Sequence, residues 1–502
     1  MFQIMSAREA IGLIKDGDCI GINSFLALSN PEALHDAVTE SFREMGHPAN
    51  LRMFCSAGFG TWDKDRHADP YIAAGAVKEI VAGHFSSMPE AVRMALENKI
   101  EAYNLPLGVL SHTVRAAASG KDGVLSEVGI NIFVDPRVGK YGMNDISTKE
   151  LVSIVNVAGK EYLYYKTPKI DIAFIKASTV DPNGNISFED EYLTVDALAL
   201  AQATRRNGGK VIVQVAKVSS TFARPRNVII PGILVDAVVV SEEQDVWAYR
   251  GIMSGDMHVP VTHMDYYMSK LTSSKKGKML SDDESVDIIG YRAAAELKPG
   301  QIVNIGIGIP ETVGKCASKI GMLKQVTATV EAGGIGGLPA PGVSFGATFG
   351  ADMICDMATQ FDFYDGGGLD ICFMGGFEVD KNGNVNAHQL GERFAGIGGF
   401  ANITTFTKTV VFCMNFTTKG IDVRKKDGRV QIVSEGSVKK FKNEINAVSF
   451  SGKVALERGQ RVLYVTERCV FELTPNGLAL VEVFDGIDEQ KDIRDLLDFT
   501  LA

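Results

Sequence analysis

Asp171-Ile-Ala-Phe-Ile-Lys-Ala-Ser-Thr-Val-Asp-Pro-Asn-Gly-Asn-Ile-Ser187 returns 199 positions later, without a gap, as Asp370-Ile-Cys-Phe-Met-Gly-Gly-Phe-Glu-Val-Asp-Lys-Asn-Gly-Asn-Val-Asn386. Each copy is an apolar strand, a Val-Asp-x-Asn-Gly-Asn turn and a further residue. Asn-Gly is the favoured two-residue turn, so one such match carries little weight. At the same offset, however, Val211-Ile-Val-Gln-Val215 faces Val410-Val-Phe-Cys-Met414, two further buried-strand patterns. A third echo pairs Ile14-Lys-Asp-Gly-Asp-Cys-Ile-Gly21 with Leu297-Lys-Pro-Gly-Gln-Ile-Val-Asn304 and aligns Gly17 with Gly300, 283 positions apart. Three echoes in one order predict an internal duplication, with roughly 84 extra residues in the first copy.

The expected units are 1–250 and 285–502. The stretch 251–284 carries Lys270, Lys275, Lys276 and Lys278 and then Asp282, Asp283 and Glu284, and it reads as a polar surface linker. Within each half, short Val/Ile-rich strands alternate with helical patterns. Ile302–Ile307, a helix around Glu311–Ile320 and a strand Ala328–Glu331 form one run. A helix around Thr194–Arg206 followed by strand Lys210–Val218 forms another. Such alternation predicts the α/β class: two homologous α/β domains with mainly parallel sheets covered on both faces, fused on one chain.

Composition narrows the function classes. The chain has 502 residues, enough for two to four folding units of about 100–200 residues. Its net charge of −10 argues against nucleic acid as the main partner, which requires a surplus of Lys and Arg on some face. No apolar run approaches a membrane span; Gly232–Val240 is broken by Asp236. The charged N-terminus does not read as a secretory signal. Seven scattered cysteines (19, 55, 316, 355, 372, 413 and 469) form no C-x-x-C pair, so neither disulfides nor a structural zinc is expected, and a reducing cytoplasm fits. Eight histidines show no His-x-x-x-His spacing, and no metal site is expected. His84 reads as structural or as a pocket-lining residue. Asp181 and Asp380 read as turn residues bonding their own backbone.

The 52 glycines cluster where chemistry is most plausible. Val303-Asn-Ile-Gly-Ile-Gly-Ile-Pro-Glu311 ends a strand in glycines and enters a helix at Pro310, but a dinucleotide fingerprint would need glycine at Glu311. Its glycines suit either close ligand approach at a helix N-terminus or a tight strand–helix turn. Downstream, Thr329-Val-Glu331-Ala-Gly-Gly-Ile-Gly-Gly-Leu-Pro-Ala-Pro-Gly342 sets one carboxylate at a strand end beside bare backbone amides. A carboxylate nucleophile needs that combination of fixed position and donors aimed at the developing oxyanion. Phe394-Ala-Gly-Ile-Gly-Gly-Phe400 offers further amides, and Tyr364-Asp-Gly-Gly-Gly-Leu-Asp370 leads into the repeated strand. Neither a G-x-S-x-G elbow nor a phosphate-binding G-x-x-x-x-G-K-[ST] loop is present.

The Glu331 string with the upstream Gly306-Ile-Gly308-Ile-Pro310 resembles family I coenzyme A transferases, over nearly the whole chain. Gln360-Phe-Asp-Phe-Tyr-Asp-Gly-Gly-Gly-Leu-Asp370, Ile132-Phe-Val-Asp-Pro-Arg137 and Tyr464-Val-Thr-Glu-Arg-Cys-Val-Phe-Glu-Leu473 are similar to the propionate/acetate CoA-transferase branch. The resemblance implies ping-pong exchange between a short-chain acyl-CoA and a free carboxylate through a glutamyl-CoA thioester on Glu331. CoA then enters as substrate, with no resident cofactor, in a homo-oligomer (dimer or tetramer). It further implies oxyanion and CoA loops at Gly306, Gly308, Gly398 and Gly399, CoA contacts at Ile307, Ile309, Pro310, Ala395 and Lys419, and an acyl pocket at Phe25, His84, Leu107 and Gly108.

The chain departs from the family pattern at several places. Pro106-Leu107-Gly108 stands where many members have Pro-Gln-Gly, so that side-chain donor is missing and the oxyanion hole is expected to rest on the amides of Gly398 and Gly399. Gly21-Ile-Asn-Ser-Phe25 is poorer in glycine than its counterparts. Lys419 replaces a frequent Gly and is read either as a CoA-phosphate contact or as solvated. Leu107 leaves an acyl-CoA hydrolase on the same scaffold as the alternative activity. A non-catalytic CoA-binding protein is disfavoured by the retained Glu331.

Overall fold

The computed structural model of the chain describes residues 2–241, 284–340 and 342–502. The expected linker 251–284 lies outside the described residues except for Glu284, and so does 242–250. Each half is built on one large sheet. The first half uses β1 (Gln3–Ile4), β2 (Cys19–Asn23), β3 (Leu51–Cys55), β4 (Val77–Ala82), β5 (Glu101–Asn104), β6 (Ile172–Val180), β7 (Lys210–Val218) and β8 (Ala237–Val240) in the spatial order β1-β8-β7-β6-β2-β3-β4-β5. Every neighbouring pair along that path is parallel.

The second half uses β9 (Ile302–Ile305), β10 (Thr327–Thr329), β11 (Gly334–Ile335), β12 (Met353–Ile354), β13 (Ile371–Met374), β14 (Thr409–Cys413), β15 (Arg461–Val465), β16 (Cys469–Thr474) and β17 (Gly477–Val483). Their order is β12-β11-β10-β9-β13-β14-β15-β16-β17. The central strands β10, β9, β13, β14 and β15 run parallel, and antiparallel strands close both edges. Central strands are nearly all buried; in β6 eight of nine residues are, as expected for a sheet covered on both faces.

The echoes found in the sequence are echoes in space. Gly17 and Gly300 take left-handed φ values of 81° and 82°, and their N–H groups donate to Ala49 and Gln325 at 2.9 and 2.7 Å. Each turn delivers the chain into the central strand of its half. Asp181 Oδ1 accepts the N–H groups of Asn183 and Asn185 at 2.8 and 2.9 Å. Asp380 Oδ1 accepts those of Asn382 and Asn384 at 2.9 and 3.0 Å, the turn-bonding role expected of both residues.

In both sheets the connections leave a central pair of strands in opposite directions, β2/β6 in the first half and β9/β13 in the second. Ligand crevices in open α/β sheets form outside the carboxyl ends of such a pair. After β2, helix α1 (Glu32–Met45) follows Pro31; further along, α2 (Leu107–Ala118) follows β5. In the second half α3 (Glu311–Lys319) follows Pro310, and α4 (Met357–Asp365) and α5 (Phe400–Phe406) pack toward the first half. Met357 N–H donates to the Val195 carbonyl at 2.9 Å and Phe133 N–H to that of Val448 at 2.8 Å. The Phe133 ring stacks on His388 at 3.8 Å, and Arg115 binds Asp356 and Asp362 at 2.6 and 2.7 Å.

Candidate active site

Glu331 stands just beyond a strand rather than at the end of one. Strand β10 stops at Thr329 because Val330 N–H donates to the Gly334 carbonyl at 2.8 Å and Gly333 N–H returns to Val330 at 3.0 Å, which reverses the chain into β11. The carboxylate therefore projects from a tight turn whose base is locked. Thr329 Oγ1 donates to the Val303 carbonyl at 2.9 Å, and the buried Tyr364 hydroxyl donates to that Thr329 oxygen at 2.9 Å. Glu331 as a residue keeps intermediate exposure, but its Oε2 is buried and has no hydrogen-bond partner among the described residues. Burial raises the carboxyl from 4.5 to about 7, and the Gly399 amide is the dipole that opposes this rise.

The segment from Ala395 to Gly399 lies across this carboxyl. A Cβ on Gly399 would stand 1.6 Å from Glu331 Oε2, so only glycine lets the backbone come this close. The rest of the segment is bound to the first half. The Ala395 carbonyl accepts from Phe85 and Ser86 N–H at 2.9 and 3.1 Å. Ile397 N–H donates to Asn104 Oδ1 at 2.9 Å. Gly398 N–H donates to the Gly83 carbonyl at 2.7 Å, and the Gly398 carbonyl accepts from Leu107 N–H at 2.9 Å. This corrects the expectation of two oxyanion amides: the Gly398 N–H is already taken by Gly83, and Gly399 alone of the pair faces the carboxyl.

Of the expected acyl-pocket residues, His84 and Leu107 adjoin this segment and Gly108 follows Leu107 in α2. His84 is bonded to Ser86 Oγ at 3.2 Å, its Nδ1 is buried without a partner among the described residues, and burial lowers its pKa to about 4, which keeps the ring neutral near pH 7. Leu107 opens α2, fully buried, against Gly83. Gly108 packs so closely on Phe361 and Asn402 that a Cβ would fall 2.4–2.6 Å from them.

The other expected residues are more dispersed. Gly306 N–H donates to the Phe373 carbonyl at 2.8 Å, where β9 meets β13; Ile307 and Gly308 are exposed beyond it, Ile309 is half-buried, and Pro310 is buried at the start of α3. These five connect the end of β9 to the start of α3. Phe25 is buried after β2 and meets the second half through Phe345 (6.2 Å between ring centroids) and Gly346. Lys419 is exposed with a left-handed φ of 61°, and its carbonyl accepts from Ser437; no described contact brings it to Glu331.

Sequence reading missed Asn104, Asn402, Phe361 and Gly83. The local signals were an Asn two residues ahead of the Pro106-Leu107-Gly108 string, an Asn three residues after Gly399, and a glycine directly before His84. Their partners lie in the other half of the chain, so no spacing rule could pair them.

Comparison with known proteins agrees with this architecture. The coenzyme A transferase family model matches residues 4–241 and 287–486. Acetate CoA-transferase YdiF of Escherichia coli K12 is 39% identical over 499 residues, covering 99% of this chain and 92% of that protein. Caffeate CoA-transferase of Acetobacterium woodii is 38% identical over 514 residues, covering 100% and 95%. The crystal structure of the acyl-CoA transferase YdiF apoenzyme from Escherichia coli O157:H7 superposes with a TM-score of 0.90 at 38% identity, over 100% of this chain and 93% of the other. A thioester complex of that relative with CoA gives 0.87. With a family model spanning both sheets and full-length relatives at this identity, the chain belongs to the family I coenzyme A transferases and is a CoA-transferase enzyme.

Proposed function

We propose that the chain moves CoA between a short-chain acyl-CoA and a free carboxylate of acetate or propionate type, with Glu331 as the nucleophile. The observation that carries this reading is the Glu331 carboxyl, held in a tight turn and touched by the Gly399 backbone. A Glu331 carboxylate oxygen attacks the acyl-CoA carbonyl carbon; the C–S bond breaks, CoA thiolate leaves and an acyl-glutamyl anhydride remains. The thiolate then attacks the glutamyl carbonyl, the anhydride C–O bond breaks, the first acid departs as carboxylate and a glutamyl-CoA thioester forms. The acceptor carboxylate runs the same two steps in reverse and restores Glu331. One thioester is exchanged for another, so the intermediate is near balance with the substrate and no net proton is needed.

The Gly399 N–H supplies the oxyanion contact, strengthened by the dry surroundings that raise the Glu331 pKa. Gly306, Ile307, Gly308, Ile309 and Pro310 form the CoA side of the crevice; His84, Leu107, Gly108 and Phe25 form the acyl side. CoA is substrate, and no resident cofactor takes part. The 39% identity to an acetate CoA-transferase supports the acid class. The units are taken as 1–250 and 285–502, assembled as a homo-oligomer. Seven buried, unpaired cysteines suit a reducing cytoplasm. The test is incubation with acyl-CoA, trapping with borohydride or hydroxylamine, and peptide mass analysis. A CoA-derived adduct on Glu331, with exchange lost in Glu331→Ala, is expected. Label elsewhere moves the site, and free CoA accumulating irrespective of added carboxylate identifies a hydrolase instead.

A further inference from the structure

The segment that faces Glu331 belongs to the second half, yet the groups that hold it belong largely to the first. Asn104, the last residue of β5, is completely buried. Its Nδ2 donates to the carbonyls of Ala82 and Gly83 at 3.0 and 2.7 Å, and its Oδ1 accepts the Ile397 N–H at 2.9 Å. The Gly83 carbonyl it holds is the one that accepts the Gly398 N–H at 2.7 Å. One side chain therefore fixes Ile397 directly and Gly398 through Gly83. Asn402 does the reverse from inside α5, also completely buried. Its Oδ1 accepts the Gly108 N–H in the first turn of α2 at 3.2 Å, and its Nδ2 donates to both oxygens of Asp365, the last residue of α4, at 3.0 and 3.2 Å.

Gly399 lies between these two anchors, two residues after Ile397 and three before Asn402. Buried amides of this kind are costly unless their partners are met, and an apolar residue would fill the same space more cheaply. What an apolar residue could not do is fix the turn in all directions. A displacement of about 1 Å in a catalytic contact can cost on the order of 100-fold in rate.

We propose that Asn104 and Asn402 are positioning residues for CoA transfer, a reciprocal pair that crosses between the halves and holds the Gly399 N–H on the Glu331 carboxyl. The assignment rests on the proposed role of Glu331. Neither side chain touches the carboxyl: Asn104 acts through the Ile397 and Gly398 backbone, and Asn402 through α5, the helix that begins directly after Gly399.

The test compares Asn104→Ala, Asn402→Ala and the double exchange Asn402→Asp with Asp365→Asn. The double exchange reverses the polarity of one hydrogen bond while keeping an acceptor for the Gly108 N–H. Rates are normalised to the amount of Glu331 able to take a CoA label. Each alanine variant is expected to lower kcat by about 30- to 300-fold, in line with loss or displacement of one oxyanion donor, while KM for acyl-CoA stays within threefold. The double exchange should recover to within tenfold of the parent. Unchanged kcat per labelled site, or an effect confined to KM or melting temperature, overturns the inference. Should Asn104→Ala not fold, the Asn402/Asp365 set decides alone. Absence of label at Glu331 in the unaltered enzyme instead removes the reading beneath, and the inference with it.

Discussion

Replacing Glu331 by Gln should abolish exchange and yet stabilise the protein, increasingly so as pH rises. Burial takes the carboxyl from 4.5 to about 7 in the folded chain. Its neutral form is thus favoured by the fold, and the associated stability is fully present below about pH 4.5 and lost as pH climbs through about 7. At about 1.36 kcal/mol per pKa unit, keeping the carboxylate ionised in the fold costs on the order of 3 kcal/mol above pH 7. Between pH 5 and pH 8 the advantage of Gln over Glu should grow by roughly 2.5 kcal/mol. Paired thermal scans at one scan rate would read this as a melting-temperature gap wider at pH 8 than at pH 5, by on the order of 5 °C. All other titrating groups are common to both proteins and cancel. A gap that stays constant across that range would mean that the Glu331 carboxyl is not desolvated in the fold, and the reasoning would fail.

Two further outcomes follow from the same geometry. Gly399→Ala places a methyl group 1.6 Å from Glu331 Oε2 unless the turn moves, so kcat should fall by about 100-fold or more while acyl-CoA binding, followed by calorimetry, changes little. The acidic limb of kcat/KM should rise with pH through an apparent pKa near 7, since the nucleophile must be ionised in the free enzyme; a profile flat down to pH 5 contradicts this.

The duplication was legible because its marks are local. A left-handed glycine before a strand and an Asp that bonds its own turn twice recur as Gly17/Gly300 and Asp181/Asp380, and each needs only a few neighbouring residues. Glu331 stands out as a candidate for the same reason, as a lone carboxylate set against glycines. Its place in a turn was not, because the Val330–Gly334 bond that ends β10 depends on β11 pairing back. The Gly398 amide was misread because its acceptor, Gly83, stands 315 positions earlier. Asn104 and Asn402 bond partners 293 and 294 positions away, beyond any pattern a single chain displays locally.

The two halves also differ within the longest echo. In the first, β6 runs unbroken through Lys176, which is 2% exposed, and its ammonium lies 3.5 Å from Glu32 at the start of α1. That ion pair joins β6 to the start of α1. At the matching offset the second half has Gly375, where β13 has already stopped at Met374; a Cβ there would meet only Pro310, 3.9–4.0 Å away. Glu311, the counterpart of Glu32 at the start of α3, has no ion pair among the described residues and is raised to about 7 by burial. A buried ion pair returns little more than its desolvation costs, so Lys176 and Glu32 fix α1 against β6 more than they stabilise the fold. The Lys176–Glu32 pair thus stands on β6, whereas Gly375 leaves bare backbone beside Pro310 at the end of β13, the side on which the proposed thioester would lie. The first half contributes Gly83, Asn104 and Leu107, which bond the Ile397–Gly398 backbone beside Glu331.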